Sequence, residues 1–249
     1  MSPDRVRGAR LQRGKSLTIK PRVRRPREII YVVAEGEVTE YDYCTALSNA
    51  FAERLGFRID TPAFHIRRNG LTPIEVADHA LTVAVSMQDG LSGSTSSPSS
   101  PIKEIWALFD RDQHPRIPEA IAKLAGRDRI RVAFSHPSFD LWLLLHFTAV
   151  SDAQGGSSEQ VHARLRNYPT FAGFGSRDKR ITATRATELM KPEQIATALR
   201  NAQALVKHCP TGCCSALAGH AAHCNPLGRD PSTDVWRLIE CLGVPNVLT

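Results

Sequence analysis

The sequence predicts an α/β fold, a mostly parallel sheet flanked by helices, continued by a helical C-terminal part. Three observations predict it. Short β-prone runs alternate with helical periodicity between residues 28 and 147. Two of those runs break abruptly into carboxylates, at Glu35-Gly36-Glu37 and at Asp110-Arg111-Asp112. Residues 158 to 208 then carry interrupted helical patterns.

The first strand, residues 28 to 34, holds Ile29, Ile30, Tyr31, Val32 and Val33, all β-formers. Thr39 is placed to cap a helix from Glu40 to about Gly56, with Tyr43, Leu47, Phe51 and Leu55 at helical spacing. A weak second strand is read at Ala63–Arg67, and Thr72-Pro73 opens a helix that runs to about Met87. Residues 89 to 101 are rich in Gly, Ser and Pro and read as a surface loop. The third strand is Glu104–Phe109, followed by a helix over Ile117–Leu124 and a fourth strand over Ile130–Phe134. Ser138 to Phe147 reads as a buried helix, and Ser232 as the cap of a last amphipathic helix with Val235, Leu238, Ile239 and Leu242. The expected organisation is a basic tail over residues 1–27, an α/β core over 28–150 and a mainly helical part over 151–249 packed on that core.

Composition excludes several classes. At 249 residues, 42% hydrophobic and 23% charged, the chain has an ordinary globular make-up and the length for one good core. No apolar run reaches the roughly 20 residues of a membrane span, and no apolar stretch at the N-terminus marks a secretory signal. The expectation is a cytoplasmic protein with no membrane partner. In a reducing compartment its six cysteines are thiols or metal ligands rather than a disulfide frame. The formal charge of +7 is unevenly spread: residues 1–27 hold ten Lys and Arg against Asp4 alone, so the rest of the chain is slightly acidic. Such an arm either touches nucleic-acid phosphate through salt-sensitive attraction or serves as a solubilising or docking arm.

The acidic strand ends carry the chemistry. Ligands of open α/β sheets bind at the carboxyl ends of the strands, and carboxylates there suit Mg²⁺ or Mn²⁺. Glu35 follows the first strand directly, with Gly36 permitting a sharp turn. It reads as a metal ligand or general base, or as part of an ordinary loop in which Glu40 favours the helix N-terminus. In an extended Asp110-Arg111-Asp112 both carboxylates face one side, where like charges call for a cation or a proton. The same aspartates also suit a solvated turn. Asp140, after the fourth strand, either joins them or satisfies helix amides, as does Ser138. His136 is a secondary candidate, and His146, within an apolar helix, reads as a hydrogen-bonded core residue. A second site is offered by Cys209, Cys213, Cys214, His220, His223 and Cys224, four of which would hold Zn²⁺ tetrahedrally. The alternative is a loop with incidental cysteines.

A glutamate followed by glycine after the first strand, with Asp-x-Asp after a later one, resembles the Toprim fold. The longer runs Val33-Ala-Glu-Gly-Glu-Val-Thr-Glu40, Phe109-Asp-Arg-Asp-Gln113 and Phe134-Ser-His-Pro-Ser-Phe-Asp-Leu-Trp-Leu-Leu-Leu-His-Phe147 resemble the RloB-like family, which includes AbiLii-type abortive-infection proteins. Asp230-Pro-Ser-Thr-Asp-Val-Trp-Arg-Leu-Ile-Glu240 is similar to that family's C-terminal helix. The family often has Asn where His136 stands and Glu where Asp140 stands. The resemblance implies a Toprim-like, Rossmannoid catalytic core that depends on Mg²⁺ or Mn²⁺. It also implies a role in bacterial defence against phage, and an AAA- or ABC-type ATPase partner encoded nearby.

By the same resemblance Asp110 and Asp112 would bind the cation, Glu35 would bind it or handle a proton, and Lys179 or Arg180 would meet the transition-state phosphate. Metal-dependent cleavage of DNA or RNA is the leading expectation. A non-catalytic nucleotide- or nucleic-acid-binding subunit and a nucleotide-polymerising enzyme stand as alternatives. No Walker A pattern is present.

Overall fold

The computed structural model describes residues 28–36, 38–62, 70–88, 102–112, 114–175, 177–209 and 224–248. The expected tail, the strand read at Ala63–Arg67 and the loop 89–101 lie outside the described residues.

Among the described residues, five strands form one sheet in the order β2-β1-β3-β4-β5. They are β1 (Glu28–Ala34), β2 (Phe57–Asp60), β3 (Ile102–Asp110), β4 (Ile130–His136) and β5 (Ser232–Thr233). The pairs β1–β2, β1–β3 and β3–β4 are parallel, and β5 runs antiparallel to β4. The helices are α1 (Thr39–Leu55), α2 (Pro73–Gln88), α3 (Ile117–Leu124), α4 (Asp140–Leu145), α5 (Glu159–Leu165), α6 (Ala183–Leu189), α7 (Pro192–Lys207) and α8 (Val235–Cys241). None is long and apolar enough to cross a membrane.

The period-two alternation of the strands sorts the core into two layers. Ile30, Val32, Ala34, Trp106 and Leu108 point to one face, where α1, α4, α7 and α8 deliver Leu47, Trp142, Ile195 and Leu238. Val33, Ile105, Ala107 and Phe109 point to the other, covered by Val76 and Ala80 of α2 and by Ile117 and Leu124 of α3. Both faces of the central strands are therefore covered, as parallel sheets require.

Two sequence readings change, and one strand the sequence did not suggest is added. Helix α1 ends at a left-handed Gly56 (φ 76°), whose amide returns to the Ala52 carbonyl, and the chain enters β2 at once, ahead of the expected strand. Thr39 does not cap α1. It is already helical, behind Val38, and its hydroxyl donates to the Lys179 carbonyl at 3.0 Å. Ser232 does not cap α8, because it pairs with His136 in β5. Thr233 serves that helix instead, its Oγ1 accepting from the Val235 amide at 3.3 Å.

Candidate functional site

The carboxyl ends of β1, β3 and β4 lie side by side, in register from Ala34↔Leu108 through Asp110↔Ser135. The loops leaving them bring their acids together. The Glu35 amide donates to the Leu108 carbonyl at 3.0 Å, which fixes the residue beside β3. Its Oε2 then accepts from the Asp110 amide at 3.2 Å, and its Oε1 lies 2.8 Å from His114 Nε2. The Arg111 amide donates to the Ser135 carbonyl at 2.8 Å and the Asp112 amide to the Pro137 carbonyl at 3.1 Å, so the loop after β3 is laced to the end of β4.

Asp140, the first residue of α4, is buried. Its Oδ2 lies 2.6 Å from His162 Nε2 of α5 and 3.5 Å from Lys179 Nζ. Helix α1 adds a further acid, Glu40, which is also buried. The side chain of Glu40 curls back over the strand-to-helix loop, so that a Cβ placed on Gly36 would fall 2.6 Å from its Oε1. A side chain at position 36 would displace this carboxyl.

Electrostatics binds these groups into one unit. Burial raises the Glu40 carboxyl to about 7; Asp140 and Glu35 push the same way, against its own backbone amide and Lys179. Burial also lifts Asp110 well above the usual carboxylate range, reinforced by Glu40, Glu35 and Asp140 and opposed by the Phe139 amide. Glu35 is raised by burial and, less, by Asp112, while the Asp110 amide and His114 pull it down. Burial works against the charge of Lys179, yet Asp140, Asp110, Glu40 and Asp112 together carry its pKa above the ordinary value. Crowded, partly desolvated oxygen donors around one ammonium are the kind of set a hard divalent cation relieves. Among the described residues, no three His, Cys, Asp or Glu side chains are already grouped as metal ligands.

Of the residues singled out from sequence, Glu35, Asp110, Asp140 and Lys179 meet here, and Asp112 stands on the exposed turn at the rim. Arg180 points elsewhere, pairing with Asp42 at 3.1 Å. His136 lies 3.8 Å from Asp230. His146 is a core residue: its Nδ1 faces the Trp142 carbonyl at 2.9 Å, so that nitrogen carries the proton and Nε2 accepts from the Tyr43 hydroxyl at 3.2 Å. Burial lowers its pKa to about 4, consistent with a neutral ring.

Cys209 and Cys224 lie adjacent, with Sγ atoms 3.7 Å apart, whereas Cys213, Cys214, His220 and His223 lie outside the described residues. Sequence reasoning missed Glu40, His114 and His162. Glu40 carried a signal, being five residues past Glu35 in the first turn of a helix that starts at the same sheet edge. His162 carried none, since it lies in a short helix far along the chain.

No curated protein and no solved structure matches this chain. A family match extends over residues 30–242, from β1 to the end of α8, and so includes every acid of the site. On that match the chain belongs to the RloB-like protein family.

Proposed function

We propose that this chain is a Toprim-like, Mg²⁺- or Mn²⁺-dependent enzyme that cleaves phosphodiester bonds in DNA or RNA. We place it in bacterial anti-phage defence of the abortive-infection type, beside an ATPase partner. The observation that carries the reading is the convergence of Glu35, Asp110 and Asp140 from three neighbouring strand ends, with Lys179 beside them. The match to the RloB-like family supports it at the level of kinship.

Glu35, Asp110 and Asp112 are the residues that would hold the cation, whose chemistry is to neutralise phosphate oxygens and polarise the phosphorus centre. The chain's own groups do the rest. Lys179, with its raised pKa, keeps a positive charge in the site and meets the charge that grows on the phosphate. In its alternative role Glu35, made more basic by burial, takes a proton from the attacking water, and His114 at 2.8 Å steadies that carboxylate. Asp140 holds Lys179 from below, and His162 holds Asp140.

The test is Asp110→Asn. Purified protein, alone and with the adjacent ATPase, is incubated with labelled DNA and RNA in Mg²⁺ or Mn²⁺. The expected result is cleavage that falls by about 10²–10³-fold or more in the variant, as when a transition-state charge stabiliser is removed. Equal cleavage by both proteins would remove Asp110 from the mechanism.

A further inference from the structure

We propose that Asp42 of α1 and Arg185 of α6 are positioning residues that hold Lys179 over the acid cluster. Placing a phosphate against Lys179 rests on the nuclease reading above; the position of the lysine does not. Lys179 lies outside any helix or strand, in the stretch between α5 and α6, with its Nζ 3.5 Å from Asp140 Oδ2. Its charge sits at the end of a flexible four-carbon stem, so it meets a reacting group in a set geometry only if its main chain is fixed.

Helix α1 grips the segment from one side. The Lys179 carbonyl accepts from the Thr39 hydroxyl at 3.0 Å, and the Ile181 amide donates to Asp42 Oδ2 at 3.0 Å. The same carboxylate oxygen lies 3.1 Å from Arg180 Nε, so Asp42 holds a side chain and the next main-chain amide together. Thr39 and Asp42 stand three residues apart, as neighbours on one face of α1. They bracket Glu40, so the helix that brings this acid to the cluster also carries the lysine segment.

Arg185 grips it from the other side, with 4% exposure. Its Nε donates to the Thr170 carbonyl at 3.0 Å, its Nη1 to the Arg180 carbonyl at 2.7 Å and its Nη2 to Asp178 Oδ2 at 2.8 Å. The guanidinium carbon lies 5.3 Å and 5.2 Å from the ring centroids of Phe171 and Phe174. One planar fork therefore ties the start of the stretch to both chain neighbours of Lys179, a pattern that a lysine at 185 could not reproduce. The Asp178 amide donates to the Gly175 carbonyl at 2.9 Å and the Gly175 amide to the Asp178 carbonyl at 3.2 Å, which closes the turn before Lys179. Within residues 178–181, Asp178 turns to Arg185, Arg180 to Asp42 and Ile181 into the core. Lys179 is the side chain of this segment aimed at the acids.

Acetylation of lysine amines in the intact folded protein, followed by mass spectrometry, tests the placement without any cleavage assay. In the natural protein Lys179, held against Asp140, should react several-fold more slowly than the exposed Lys207. In Asp42→Ala and in Arg185→Lys its rate should rise toward that of Lys207. If Arg185→Lys fails to fold, Asp178→Ala, at the more exposed partner of Arg185, takes its place. Cleavage gives the second reading. Each variant should lose about 10²-fold, as a misplacement of about 1 Å can cost. Adding Asp42→Ala to Lys179→Met should lower the rate no further, because both changes remove the same group from the site. Unchanged Lys179 acetylation in these variants, or losses of cleavage that simply add, would overturn the proposal and leave Asp42 and Arg185 as supports of the fold alone. Absence of cleavage by the natural protein would remove the nuclease reading, and acetylation would still decide what holds Lys179.

Discussion

Burial lifts the Glu40 carboxyl to about 7, and Asp140 and Glu35 add to the lift. The folded protein therefore holds a proton on Glu40 that the unfolded chain, with a carboxyl near 4.5, releases as pH rises. The sign follows directly. Stability linked to this residue is fully present below about pH 4.5 and is lost as pH climbs through about 7. Glu40→Gln removes a charge that the folded site disfavours. In urea titrations the variant should be more stable than the natural protein at pH 8, and the difference should shrink toward zero by about pH 4. A difference of constant size across that range would mean that Glu40 does not titrate in the folded state as its surroundings dictate. Glu35 and Asp110 were legible in the sequence because a β-prone run that stops at a carboxylate marks a sheet edge. Glu40 was not, because an acid in the first turn of a helix has an ordinary explanation in the helix dipole. Only the folded-back side chain over Gly36 reveals its second role.

At the scale of elements, the loop between β1 and α1 does most to shape the site. Gly36 lets the Glu40 carboxylate lie against the main chain, and Glu35 is held by β3 from the other side. Gly36→Ala would place a Cβ 2.6 Å from Glu40 Oε1, forcing a buried acid to move. A destabilisation of about 1–3 kcal/mol is expected by denaturant unfolding, the usual cost of overfilling a packed site. Helix α1 as a whole should stay intact by circular dichroism. Wild-type stability in this variant would show that Glu40 moves without cost.

The long parallel elements were readable from sequence because hydrophobic periodicity sets them: β1, β3, β4 and α1 fall close to where their apolar spacing puts them. The short ones were not. β2 has four residues and β5 two, too few for a pattern, and each exists because a neighbouring strand offers an unpaired edge. Ser232-Thr233 reads as a helix start in isolation and becomes a strand only through Ser135 and His136 of β4.

Over the whole molecule, one continuous apolar layer joins Ile30 of β1 to Trp142 of α4, Leu199 of α7 and Ile239 of α8. Residues distant in sequence therefore stand behind the same sheet edge, and Lys179 reaches Asp140 because α5, α6 and α7 pack on that layer. On the proposed nucleic-acid reading, the ten basic residues among the first 27 would add a sequence-independent term to binding. Removing residues 1–27 should weaken binding to a DNA or RNA duplex. On B-DNA it should also flatten the dependence of log K on log salt, by roughly 0.9 for each phosphate that the tail had neutralised. Unfolding of the shortened chain should be unchanged. An identical salt slope would assign the tail to another partner.

The central claim is that Glu35, Asp110 and Asp112, the acids after β1 and β3, hold a divalent cation, and Mn²⁺ titration followed by electron paramagnetic resonance tests it most directly. The account predicts that the natural protein depletes the signal of free Mn²⁺ with saturable binding, that Mg²⁺ competes, and that Asp110→Asn abolishes the depletion while leaving the fold unchanged. Undiminished free Mn²⁺ with the natural protein, or equal binding by Asp110→Asn, would contradict it.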